Sequence, residues 1–178
     1  GDIMSKRSLL ISTAAFLLLC AGCGEKGVPA EVWVDYYLSD DMPWDESRTL
    51  TLPEFPGVTF TWTSDKVTAS SGGETTRLFG GMPVWSVYLC DLTGDGKPEF
   101  CASVSMGSGI IDDRVIVYDY ASGSLWELQD RWNLDYRLEQ KGSSMQVVKS
   151  EYAGPEISRG TLALVPDGDG NLHLVMES

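Results

Sequence analysis

Ten residues, DLTGDGKPEF at 91–100, gather three carboxylates and two glycines between Cys90 and Cys101. Counted from Asp91 as position one, Thr93 stands at three, Asp95 at five, Gly96 at six, Lys97 at seven and Glu99 at nine. Calcium takes oxygens from alternate loop positions, with a glycine where the chain turns sharply and a backbone carbonyl at position seven. The segment supplies all of these, Lys97 through its carbonyl alone. Position twelve, where an EF-hand needs a bidentate glutamate, is Ala102, so this is not an EF-hand. The other reading is a glycine-rich hairpin whose aspartates bond only their own backbone. Crowded carboxylates repel unless something neutralises them, which favours a weakly held cation. Asp112-Asp113 and the DGDGN run at 167–171 are lesser acidic clusters, able to lend a ligand or simply to face water.

Other chemistry has little to stand on. The single histidine, His173, sits in the alternating run NLHLVM and reads as a solvent-side strand residue. One histidine with scattered cysteines does not build the usual zinc site. The sequence has no G-x-S-x-G, no Walker loop and no dinucleotide fingerprint. A surface hydrolase of glycans using paired carboxylates stands as an alternative, because such acids follow no sequence spacing rule. Of the six tryptophans, Trp62 and Trp85 alternate with apolar neighbours as core residues do. Trp33 and Trp44 are the candidates for an exposed platform.

The N-terminus assigns a compartment. In MSKRSLLISTAAFLLLCAGC, Lys6 and Arg7 precede an apolar run of signal-peptide length that ends in Cys20-Ala21-Gly22-Cys23. The run is shorter than the ~20 apolar residues of a spanning helix. Two small residues before a cysteine form a lipobox, with Cys23 as the lipidated residue and Cys20 where leucine is usual. An ordinary secretory signal or an uncleaved anchor is the competing reading. Residues 1–22 are thus expected to be a signal peptide (1–3 precede the start at Met4), 23–30 a lipidated tether, and 31–178 a single extracytoplasmic domain. The chain of 178 residues carries a formal charge of −13, which disfavours nucleic acid and anionic lipid headgroups as partners. The membrane is then met through the lipid alone, and the open partner is a protein or glycan ligand. Export makes a Cys90–Cys101 disulfide available, and two buried thiols on adjacent strands are the equal alternative.

The elements that must position the loop are strands. Candidates are 48–52, 57–63, 66–70, 75–79, 84–90, 99–106, 114–120, 124–128, 134–140, 145–150, 160–165 and 171–176. Each is rich in β-branched or aromatic residues, and glycine-containing turns punctuate them. Short loops force antiparallel neighbours, so the fold class is all-β, an antiparallel meander or sandwich, with propeller-like blades too few to close a ring. Ahead of them, Val32, Trp33, Tyr36 and Tyr37 fall near helical spacing and predict a short N-terminal helix.

The loop's D-x-T-G-D-G-x-x-E pattern resembles the calcium hairpins of integrin-type FG-GAP repeats. Thr93 and Glu99 depart from the usual aspartates and imply a weaker site. The run MPVWSVYLCDLTGDGKPEFCASVSMGSGIIDDRVIVYDYASG, with LPEFPGVTFTWTSDKVTA, resembles the exported C-terminal domain of beta-lactam sensor-transducer-type membrane zinc peptidases and related stand-alone lipoproteins. The resemblance covers about residues 42–123 and implies an accessory or sensing module. The peptidase's His-Glu-x-x-His and membrane helices are missing, so no catalytic residue carries over. The expectation is a lipid-anchored, non-enzymatic surface binding or sensing module with calcium at Asp91, Thr93, Asp95, Lys97 and Glu99. An accessory subunit of a membrane peptidase is a further alternative.

Overall fold

The computed structural model describes residues 30–39, 41–141 and 144–178. The signal peptide and Cys23 lie outside the described residues. Thirteen strands follow one another with no helix among the described residues. They are β1 (Glu31–Asp35), β2 (Ser47–Leu50), β3 (Thr59–Thr63), β4 (Lys66–Ser71), β5 (Glu74–Gly80), β6 (Val84–Cys90) and β7 (Glu99–Met106). Then come β8 (Asp112–Asp119), β9 (Ser124–Leu128), β10 (Leu134–Lys141), β11 (Ser144–Glu151), β12 (Glu156–Pro166) and β13 (Leu172–Glu177). All twelve expected strands are present. The predicted N-terminal helix is not: residues 31–35 instead pair antiparallel with β6. Burying Val34 against the core outweighs the weak helical spacing around it.

The chain makes three successive four-stranded antiparallel meanders, β2–β5, β6–β9 and β10–β13, and β1 joins the middle one beside β6. The all-β expectation therefore holds, and no barrel closes. The middle sheet is covered on both faces. Val87, Leu89, Phe100, Ala102 and Ile116 pack with Phe60, Trp62 and Val67 of the first meander. Tyr88, Cys101, Val115 and Val117, the alternate residues of the same strands, pack with Leu138, Val147 and Leu162 of the third.

This layering explains the sequence pattern. A strand buried on both faces needs an unbroken apolar run, and β6 (VWSVYLC) is buried along nearly its whole length. A strand with one wet face alternates, as Thr59-Phe60-Thr61-Trp62-Thr63 does in β3. Phe60 and Phe100 meet at 4.8 Å between ring centroids, tying the first sheet to the middle one.

The strand directions sort the loops into two ends. One end carries the β6–β7, β8–β9 and β12–β13 turns, and Ala30 is held there by the Gln140 side chain at 3.3 Å. The other carries the β1–β2, β5–β6, β7–β8, β9–β10 and β11–β12 connections.

Candidate metal centre

The acidic loop is the β6–β7 hairpin connection. Cys90 faces Glu99 across the ladder, so the loop starts and ends on a paired position. Gly94 and Gly96 have φ of +78° and +83°, a left-handed conformation that side-chain-bearing residues adopt at a cost. Those two bends wrap the loop amides around the first carboxylate. Asp91 accepts the Gly94 amide at 2.7 Å and the Gly96 amide at 2.8 Å. Asp95 accepts the Lys97 amide at 2.8 Å.

Glu99 closes the loop from below. It is fully buried, and its carboxylate accepts the amides of Leu92 and Thr93 together with the Thr93 hydroxyl at 2.8 Å. Burial pushes its carboxyl up to about 7. Those three hydrogen bonds oppose the shift, and the neighbouring Asp91 charge adds to it.

Asp91, Asp95 and Glu99 each offer an oxygen, and these oxygens lie within 4.8 Å of one another. Two oxygens bound about 2.4 Å from a shared calcium ion can be at most about 4.8 Å apart, so the spacing suits a single ion. Thr93 stands beside the cluster, its hydroxyl between Glu99 and Asp91, 3.4 Å from the latter. The Lys97 ammonium points elsewhere, 5.9 Å from the centre of the Phe55 ring, and leaves the carboxylates without an ion-paired lysine. Three carboxylates, one hydroxyl and amide-stapled backbone make a hard oxygen site suited to a divalent cation.

Of the two cysteines flanking the loop, only Cys101 is a free thiol, and the two are not bonded to each other. Cys101 is free and fully buried. The ladder sets it opposite Tyr88 while Cys90 faces Glu99, two residues out of step, so Cys90 and Cys101 do not bridge. Burial and the Glu99 charge hold the Cys101 thiol well above its usual range.

The lesser acidic runs separate. Asp112 is buried beside Arg114 at 2.6 Å, not facing water. Asp167 staples the β12–β13 turn by accepting the Asp169 and Asn171 amides, and it pairs with exposed His173 at 2.8 Å. Trp44 is exposed, whereas Trp33 packs against Phe100. Sequence reasoning missed a second polar group at the opposite end of the middle sheet, where Tyr37, Asp113, Asp135 and Arg137 line one cleft. They come from three separate elements, and no short-range spacing announces them.

Comparisons with family models, with curated proteins and with solved structures found no match.

Proposed function

We propose that this chain is a non-enzymatic binding or sensing module, lipid-anchored through Cys23 outside a bacterial cell, with calcium stiffening the 91–99 hairpin. The observation that carries the metal part is the convergence of Asp91, Asp95 and Glu99 within 4.8 Å at the tip of two core strands. The lipobox supports the placement. Modules outside the cell work with calcium affinities of about 10⁻⁴–10⁻³ M, which a site of this composition can reach. Bound calcium would neutralise Glu99, where burial now penalises its charge. Its role is to hold the β6–β7 turn, in keeping with the accessory domains the chain resembles.

Thermal melting of chelator-stripped protein against calcium tests the reading. Saturation to ten times the dissociation constant stabilises by ~1.4 kcal/mol, a rise of a few degrees for a domain of this size. An unchanged melting temperature at millimolar calcium rejects the metal site. Globomycin-sensitive acylation of Cys23, followed by mass spectrometry, tests the anchor.

A further inference from the structure

We propose that the end of the domain opposite the acidic hairpin is a docking face for a basic, apolar-flanked segment of another protein. Its lysine or arginine side chains would enter two acidic clefts that meet at Tyr37 and Arg137. The inference rests on the binding-module reading, and names the surface and the chemistry of the partner.

Hydrogen bonds tie the loops of this end into one surface. The Tyr36 amide bonds the Trp85 carbonyl, Met82 bonds Ser105, and Tyr152 bonds Asn133. Asp135 accepts the amides of Asp113 at 2.9 Å and Ala153 at 2.8 Å, joining the start of β8 and the β11–β12 turn to β10.

Apolar exposure concentrates here. Among the described residues, every exposed large hydrophobic except Val32 and Leu125 belongs to this end. Leu38 is 79% exposed, Trp132 59% and Ile111 50%, and Tyr152 is exposed at this end too. Scattered apolar residues are ordinary on a surface, but their gathering at one end marks an interaction site. The two non-glycine residues with positive φ, Trp132 at 82° and Ala153 at 50°, also lie here. Such strain persists where the surroundings impose it and clusters at binding surfaces.

The same end holds two clefts, and Leu38 lines one of them. One, of about 340 Å³, is lined by Asp35, Tyr37, Leu38, Arg137 and Glu139. The other, of about 230 Å³, is lined by Tyr37, Asp113, Asp135, Arg137 and Ala153. Arg137 pairs with Glu139 at 3.3 Å and is set over the Tyr37 ring at 5.4 Å, while its Nη1 is buried without a hydrogen-bond partner. Asp35, Asp113 and Asp135 are bonded by neutral donors only. Tyr88 and the Tyr37 amide serve Asp35, Tyr37 and Ser105 serve Asp113, and backbone amides serve Asp135. None of the three belongs to an ion pair.

Charge complementarity selects the occupant. In each cleft the carboxylates outnumber the single Arg137 cation, and on a chain of formal charge −13 this attracts a cation and gives a neutral sugar no electrostatic advantage. Lysine and arginine also carry apolar stems that cover residues such as Leu38. A basic segment flanked by apolar residues satisfies both the clefts and the exposed apolar residues.

The test uses ¹⁵N-labelled protein and a short synthetic peptide alternating arginine with leucine, with the glutamate-for-arginine peptide as control. Amide shifts confined to 37–39, 111–113, 132–137 and 152–154, and a binding constant that weakens with added salt, are expected. Asp113→Asn should weaken binding at least about tenfold. Leu38→Ser, at an exposed site where folding is not at stake, should weaken it several-fold. Equal binding of the glutamate peptide, no shifts at millimolar peptide, or shifts centred on the 91–99 hairpin would each overturn the proposal. So would binding of a neutral oligosaccharide at this face in place of the peptide, or a concentration-dependent dimer that covers it. Hairpin-centred shifts, or the oligosaccharide result without turnover, would leave the binding-module reading standing, so the two failures can be told apart.

Discussion

Glu99 accepts both the amide and the hydroxyl of Thr93, at 3.1 and 2.8 Å, so the ninth residue of the acidic loop clamps the third. The clamp is buried beneath the hairpin. It makes one carboxylate responsible for the turn, for its pH response and for any ion it holds.

Removing that carboxylate should destabilise the protein whether or not calcium is bound. In Glu99→Ala the amides of Leu92 and Thr93 lose their acceptor, and each buried unsatisfied group costs about 1–3 kcal/mol. Relief of the buried charge offsets part of this above the folded pKa. Urea denaturation at pH 5, where Glu99 is largely protonated, should therefore show the larger loss.

The pH dependence has a definite sign. The carboxyl of Glu99 lies near 7 in the fold against 4.5 as its ordinary value, so between these limits the native state holds a proton that the unfolded chain lacks. Stability from this group is complete below about pH 4.5 and declines as pH rises through 7, by up to ~3 kcal/mol. Calcium requires the ionised form, so its stabilising shift should grow from pH 5.5 to pH 8. Melting curves with and without calcium at several pH values check both trends, and Glu99→Gln should flatten them.

Asp95 separates the metal role from the fold. It is exposed and holds only the Lys97 amide, so Asp95→Ala should cost the calcium-free protein ~1 kcal/mol or less. The calcium-dependent rise in melting temperature should disappear. A retained rise would place the ion elsewhere.

Cys101 should resist alkylation in the native protein. Its thiol is fully buried and held protonated, and the thiolate is the reactive form. Iodoacetamide followed by peptide mass spectrometry should find it unmodified until denaturant is added.

Phe100 tests the two-sided core. It meets Phe60 at 4.8 Å and Trp33 at 6.1 Å, with no exposure to solvent. Phe100→Ala should cost about 3–5 kcal/mol, read from the shift in the urea midpoint.

The strands were legible because β-branched and aromatic runs between glycine turns are a local signal. Those at 84–90 and 99–106 match the observed β6 and β7 at both ends. The segment at 31–37 was not legible, since its apolar spacing suits a helix while its fate depends on pairing with Tyr88 and Val87, more than fifty residues away. The relation of Cys90 to Cys101 likewise depended on ladder register, which a one-step slip would have altered.

The order of residues alone determined the all-β class, the positions of the turns and the crowding of Asp91, Asp95 and Glu99 in one of them. These follow from short-range sterics and hydrogen bonding, which act within a few residues. Tertiary structure decided the stacking of three meanders, the burial of Glu99 and the meeting of Tyr37, Asp113, Asp135 and Arg137. Each of those depends on which sheet faces cover one another, and burial energy acts between surfaces that sequence distance does not rank.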